Sequence, residues 1–314
     1  MTVRTEKLCK TRRSLPLIGR LIQPLIFFGA LILSILFPGE MRAGVIDGIE
    51  LSVFTVIPAV FPFMVLSDFV ACSGSFDGGA VSWAVRKLLG LSHRSGGAMI
   101  CGNLCGFPMG AKITMDQYRR GEITQEEAER ALAPATNPSF AFVVSGIGGG
   151  MLHCVTDGLI LYFGIIIATV LTGIIYSHKH IELRETSVNT RQSYDFTRSI
   201  KDAAINSVYV GGFVIFFSFI IMALRAVVKN EICVTFVSTV LEITNSARGL
   251  IAICSIRELL LPLLAFSLGF SGMSVHMQVS ALVGGEVDMR LYYVEKLTEG
   301  MLCAFIVYAL VLLL

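Results

Sequence analysis

Charge is what this 314-residue sequence has least of. It holds 25 Lys and Arg and 23 Asp and Glu, where a soluble chain of this length would carry roughly 78 charged residues. With 54% apolar residues and a mean hydropathy of +0.73, the shortage excludes a disordered chain and an ordinary soluble enzyme. A net charge of +2 excludes a nucleic-acid binder steered by charge. The eight cysteines form no CxxC pair, so no disulfide framework is implied. Cys101 and Cys105, four residues apart, lack the two further ligands a soft metal needs. HExxH, a phosphate loop and a Ser-His-Asp order are all missing, and Gly146-Ile-Gly-Gly-Gly150 follows no strand, so it reads as a hinge or close contact. Neither an enzyme nor a bound cofactor or metal is expected. No small-x-small cleavage site follows the first apolar run, which Arg4, Lys7, Lys10, Arg12, Arg13 and Arg20 precede. An uncleaved anchor with a cytoplasmic N-terminus is the expectation.

What is present is a set of apolar runs bounded by charge. Residues 1–20, 115–130, 178–202 and 284–299 hold 30 of the charges and read as aqueous margins. Between them, 21–38, 51–71, 131–152, 155–177, 203–228 and 290–314 are long enough, or nearly so, to cross about 30 Å of hydrocarbon as helix. Basic residues on both sides of 95–114 mark it as a re-entrant hairpin from the cytoplasm. Residues 39–50 then form an outer loop, a second hairpin that carries Gly269, Phe270 and His276 enters from outside, and both termini are cytoplasmic.

A weak internal duplication accompanies this pattern. Gly106-Phe107 matches Gly269-Phe270, Met109 matches Met273, Lys112 falls opposite His276, and Gly121–Thr124 aligns with Gly285–Asp288. Thr124 and Asp288 are helix N-caps, and Thr124 to Glu127 reads as a capping box. The topology makes the two halves inverted. Inverted repeats with Gly- and Pro-interrupted apolar segments are the sequence sign of a secondary transporter with a site at mid-membrane.

The segments Pro62-Phe-Met-Val-Leu-Ser-Asp68, Gly106-Phe-Pro-Met-Gly-Ala-Lys112, Arg120-Gly-Glu-Ile-Thr, Glu242-Ile-Thr-Asn245 and Leu268-Gly-Phe-Ser-Gly-Met-Ser-Val-His-Met-Gln278 resemble the nucleoside-recognition, or Gate, domain of YlbJ-type sporulation integral membrane proteins. The resemblance covers roughly residues 50–314; Ser246 stands where Gly is expected. It implies an all-α polytopic membrane protein of two inverted Gate-type repeats, each with a re-entrant helical hairpin, similar to half of a concentrative nucleoside transporter. Residues 1–20 are then a basic cytoplasmic N-terminus, 21–48 an anchor with its outer loop, and 49–177 the first repeat with a connecting span. A cytoplasmic linker, 178–202, leads to the second repeat, 203–314. The resemblance also implies a role in endospore formation, moving dipicolinate across the outer forespore membrane.

The expected partners are a small anionic substrate, the lipid bilayer and a coupling proton or cation, with homo-oligomers possible and nucleic acid excluded. A non-transporting scaffold or receptor stands as the alternative, with nucleoside or metal-ion transport behind it. Lys112, a lone charge in an apolar stretch, and His276 can hold a dicarboxylate between them. Phe107 and Phe270 can sandwich a flat ring. Pro134 and Pro138 break the helix begun at Thr124, which lets Thr136, Asn137 and Ser139 line a cavity; Asn103 adds a further polar group. Glu242, Thr244 and Asn245 form the other polar cluster, where a carboxylate binds a coupling ion or pairs with an arginine. Ser271, Ser274 and Gln278 complete the candidate set.

Overall fold

The computed structural model describes residues 28–29, 31–72, 80–177 and 195–313, with side chains for all of these but 67–72 and 80–82. The basic N-terminus, residues 21–27 and 30 of the expected anchor, the linker up to residue 194 and the side chain of Asp68 lie outside the described residues. Every regular element described is helical. In chain order these are α1 (Pro38–Leu51), π1 (Ser52–Val56), α2 (Ile57–Cys72), α3 (Ala80–Leu89), α4 (His93–Cys105), α5 (Met109–Arg119), α6 (Gln125–Ala131), π2 (Ala141–Met151) and α7 (Val155–Tyr176). After the linker come α8 (Phe196–Val227), α9 (Glu231–Leu241), α10 (Ile243–Ile253), α11 (Arg257–Phe270), α12 (Gly272–Val283) and α13 (Arg290–Leu313).

Short polar side chains start many of these helices by accepting a hydrogen bond from the orphan N–H groups of the first turn. Ser92 caps α4, Thr124 caps α6, Asp195 caps α8, Asn230 caps α9 and Glu242 caps α10. The capping box forms only halfway. Thr124 Oγ1 accepts from Glu127 N, but Glu127 Oε1 accepts from Ser92 N at 2.8 Å and Ser95 Oγ at 2.6 Å, leaving Oε2 unbonded. The buried start of α4 offers a donor pair that competes with the reciprocal bond of the box.

Among the described residues, five stretches are long and apolar enough to cross a bilayer: Pro38–Leu66, Val155–Tyr176, Phe196–Val227, Arg257–Val283 and Arg290–Leu313. Phe54, Phe163, Val208 and Phe305 stand more than half exposed along them, a surface that lipid, not water, accommodates. The chain is an all-α polytopic membrane protein.

Four expectations need correction, beginning with the outer loop. Residues 39–50 are not a loop: Pro38 sits in the first turn of α1, where its fixed φ suits a helix and its missing N–H costs nothing. The charges inside this helix are accommodated because Asp47 makes a bidentate pair with Arg248 of α10. The second hairpin is also displaced. Helices α11 and α12 meet at Ser271, in the left-handed region at φ 73°, and do not pack along one another; α12 packs on α5, α8 and α9 instead. They are one broken helix. The hairpin of the second half is α9–α10, two packed arms that turn at Glu242.

Gly106 and Gly269 therefore fall on unlike elements, a hairpin tip and a broken helix, so the alignment read from the sequence pairs the wrong parts. What does occur twice is the element order. A long helix, a hairpin, a broken helix and a further span run as α1–α2, α4–α5, α6–π2 and α7, and again as α8, α9–α10, α11–α12 and α13. The corresponding long helices α2 and α8 pack together, as do α7 and α13.

Ion pairs define the two ends of the molecule. Arg119 reaches Glu286 at 2.7 Å, and Asp288 N donates to Glu129, so connections 120–124 and 284–289 share one end. The hydrogen bonds from Arg119 to the Glu286 carboxylate hold the guanidinium above its usual range. At the other end, Arg257 pairs with Asp157 at 2.7 Å and Arg248 with Asp47. This removes the expected arrangement in which 284–289 lay opposite 115–130.

Candidate functional site

The second arm of the first hairpin, α5, packs on α12 of the second broken helix, and α10 of the second hairpin packs on π2 of the first. Each hairpin thus braces the post-break half of the other unit. Where the four meet lies a cavity of about 20 Å³, room for about one water molecule.

Corresponding elements of both units line it: Val56 and Val60 against Val210 and Val214, the tip Gly106-Phe107 against the tip Glu242–Thr244, and Ser139 and Phe142 against Ser274, Val275 and Gln278. Six candidates from the sequence come together here, namely Phe107, Ser139, Glu242, Thr244, Ser274 and Gln278. Gln278 Nε2 donates to Ser274 Oγ, while its buried Oε1 has no hydrogen-bond donor. A buried acceptor without a donor is uncommon in folded proteins.

Glycine brings the backbones close enough to form the first tip. A Cβ on Gly102 would lie 1.9 Å from Ala135 O, and one on Gly110 would lie 1.7 Å from the same atom. The two arms of the hairpin therefore clamp a carbonyl within the break, Ala135 O. Gly106, at φ +83°, abuts Ser139. Residues 132–139 leave helical geometry between Pro134 and Pro138, as a missing N–H and a ring clash dictate. The Gly146–Gly150 run is a close contact: a Cβ on Gly148 would stand 2.7 Å from Gly158 Cα on α7.

Glu242 turns the second tip and is almost fully buried. Its carboxylate accepts from Thr244 N at 2.9 Å, Asn245 N at 2.7 Å and Asn245 Nδ2 at 2.8 Å. It is held by amides and not by an arginine, because Arg248 is spent on Asp47. Asn245 also donates to Ser218 on α8. Ser246, where Gly was expected, is helical and accepts from Ser267 Oγ on α11.

The other candidates lie elsewhere. Lys112 sits one turn into α5, half-buried, and does not line the cavity; nor does His276, so the two do not form a clamp. His276 Nδ1 is 3.1 Å from Tyr292 Oη, and its Nε2 is buried without a partner. Phe270 stacks on Phe266 and meets His276 edge-on, so it does not sandwich a ring with Phe107. Ser271 caps its own turn on Leu268 O.

Asn103, Thr136 and Asn137 belong to a second constellation that sequence reasoning missed. Lys296 of α13 is fully buried, and its Nζ donates to Thr136 O at 2.9 Å, Asn137 Oδ1 at 2.8 Å and Glu299 Oε2 at 2.9 Å. Thr169 Oγ1 donates to Glu299 Oε1 at 2.6 Å, and Asn137 Nδ2 donates to Thr169 Oγ1 and Asn103 Oδ1. Asn103 in turn donates to Met99 O and Pro134 O. At the break, Thr136 O thus finds an ammonium and Pro134 O a side-chain amide. Glu295, Lys296 and Glu299 were read as part of an aqueous margin; all three are buried. A signal was available, since Tyr292, Lys296, Glu299, Cys303, Val307 and Val311 recur at helical spacing on one buried face.

Comparison with known proteins gives one similarity of substance. The chain is 26% identical over 304 residues to the sporulation integral membrane protein YlbJ of Bacillus subtilis (strain 168), covering 81% of this chain and 74% of that protein. No protein-family description matches it, and no solved structure does.

Proposed function

We propose that the protein is a secondary transporter carrying a small anionic aromatic metabolite, dipicolinate, across the outer forespore membrane during endospore formation. The observation that carries this reading is the cavity bounded by both hairpin tips and both helix breaks. Discontinuous helices meeting at the interface of inverted repeats are where secondary transporters bind their solutes.

Inversion follows from parity. If Pro38–Leu66, the broken path 125–151 and Val155–Tyr176 each cross once, and α4–α5 returns to its own side, the first unit crosses three times. An odd number starts the second unit at the opposite face. The ion pairs at the two ends agree with that path. Arg86, Lys87, Arg94, Arg119 and Arg120 mark the end holding the Arg119–Glu286 pair as cytoplasmic.

The sporulation setting is supported by the similarity to YlbJ, and dipicolinate by the resemblance of the motifs. The lining suits a flat solute: Phe107, Phe142 and five valines offer apolar faces, and Ser139, Thr244, Ser274 and Gln278 offer hydroxyl and amide donors. The first turn of α12, which no side chain caps, ends at the cavity, and its positive end attracts carboxylates, whereas that of α10 is already met by Glu242. A cavity of about 20 Å³ corresponds to a closed state, and any ring-sized solute requires the tips and breaks to separate.

One observation favours a second reading. The open acceptor of Gln278 and the Glu242 carboxylate suit a solute with N–H or O–H donors, such as a nucleoside. Uptake of labelled dipicolinate and labelled uridine into proteoliposomes separates the two. Saturable dipicolinate uptake is expected; its absence in both insertion orientations, with folded protein verified, rejects this substrate, and absence of both fluxes favours a scaffold.

A further inference from the structure

Two carboxylates and one ammonium are buried together on α13. Glu295 and Glu299 are one turn apart on the same helix face, where like charges repel. Lys296 has three N–H donors, and all three are committed, to Thr136 O, Asn137 Oδ1 and Glu299 Oε2. Glu299 is satisfied further by Thr169. Glu295 is 2% exposed, and its Oε2 is buried with no hydrogen-bond partner. A buried carboxyl oxygen that no donor reaches, on a helix face that already holds Glu299, can be met by a proton.

We propose that Glu295 is the site of a coupling proton, and that the Lys296–Asn137 contact transmits its protonation state to the first helix break. This deepens the transport reading above and rests on it for its second half. The proton enters from the Arg119–Glu286 end, because Glu295 lies five residues into α13, about 7.5 Å along the axis from Arg290. With the proton bound, Glu295 is neutral and Lys296 stays on Glu299, Thr136 and Asn137. When the proton leaves, two ionised carboxylates compete for one ammonium, and the hold on Thr136 O and Asn137 weakens. Ser139, two residues beyond Asn137, lines the cavity, so loosening the break alters the substrate site directly.

The surroundings leave few other groups to take this role. Along α11 no charge occurs between Leu259 and Phe270, and α7 carries only Asp157, which is paired with Arg257 at the far end. From α6, Arg130 faces Glu295 and donates Nη2 to Leu89 O, while Glu127 and Glu129 accept from Ser92, Ser95, Gln125 and Asp288. On α12, His276 faces Tyr292 and Tyr293. Cys303 lies one turn beyond Glu299 on the same face.

The test has two arms on the full chain. Infrared spectra of the protein in lipid, titrated through neutral pH, should contain a protonated-carboxyl band that is lost in Glu295→Gln and kept in Glu295→Asp. A band unchanged in Glu295→Gln, or lost only in Glu299→Gln, overturns the assignment. In proteoliposomes, an imposed pH gradient should raise accumulation of labelled dipicolinate at least fivefold in the parent. Glu295→Gln should abolish that rise while keeping exchange of labelled for unlabelled dipicolinate within about twofold. Gradient-driven accumulation persisting in Glu295→Gln overturns the coupling role and leaves transport intact. If the parent shows no dipicolinate flux but the band behaves as stated, the proton site stands and the substrate reading fails.

Discussion

The ammonium of Lys296 lies 2.8 Å from the amide oxygen of Asn137, 159 positions earlier in the chain. This contact joins the last span to the unwound segment between Pro134 and Pro138. A break inside a membrane helix exposes carbonyls that hydrocarbon cannot satisfy, and here a buried side-chain cation meets one of them, Thr136 O. The same cation neutralises Glu299, so the break and the ion pair are stabilised or lost together.

Lys296→Met should therefore cost about 3–5 kcal/mol, because it leaves a buried carboxylate uncompensated. The double variant Lys296→Met with Glu299→Gln should recover much of that loss. Thermal unfolding in detergent measures both, and strictly additive effects would reject the coupling.

Glycine at the first hairpin is a steric requirement. Gly110→Ala drives a methyl group to within 1.7 Å of Ala135 O, a backbone atom that cannot turn away. A severe fall in membrane-inserted protein is expected. Gly212→Ala, on α8 with nothing within 4 Å of the added carbon, should be neutral or stabilising by up to about 1 kcal/mol. Comparing abundance of the two variants tests the close approach.

Two charged positions should respond differently at the second hairpin. Glu242→Ala strips three hydrogen bonds from a buried cap and should destabilise by about 2 kcal/mol. Arg248→Ala breaks a pair whose guanidinium side is 42% exposed, so its cost should stay within about 1 kcal/mol. Equal losses in melting temperature would contradict this ranking.

Substrate-site residues should separate from bystanders in uptake. Gln278→Ala removes one hydrogen-bonding group from the cavity, and a loss near 1.4 kcal/mol corresponds to about tenfold weaker apparent affinity. Lys112→Ala, outside the lining, should stay within about twofold of the parent. The ratio of half-saturation constants for dipicolinate in proteoliposomes decides between them, and a large Lys112 effect would return the anion clamp to consideration.

Topology gives an independent check. In a cysteine-free background, Gly285→Cys and Gly121→Cys should react with an impermeant maleimide from the same side, and Lys229→Cys from the opposite side. Gly285 and Lys229 labelling together would contradict both the ion-pair geometry and the parity of crossings.

Much of the candidate cavity was legible because its chemistry is local. Pro134 and Pro138 dictate a break wherever they occur in a helix, and Ser139 follows from them. Glu242, Thr244 and Asn245 satisfy one another within four residues, so their cluster could be read directly. Lys112 and His276 could not be assessed that way, because whether they face a cavity depends on how α5 and α12 rotate when packed. The second hairpin was misassigned because α9–α10 is short and polar-tipped, while the Gly269–Gly272 stretch has the composition of a tip without the packing of one.

The sequence by itself determined that this chain resides in a membrane, that its apolar runs, among the described residues, are built of helix, and that one of them breaks at Pro134–Pro138. Those properties follow from hydropathy, proline geometry and nearest-neighbour capping, all of which act over a few residues. Only the tertiary structure decided which charges are dry. Lys296 and Glu299 look like part of a solvated margin until Thr136, Asn137 and Thr169 arrive from far along the chain, because a buried charge is tolerated only where its partners are already in place.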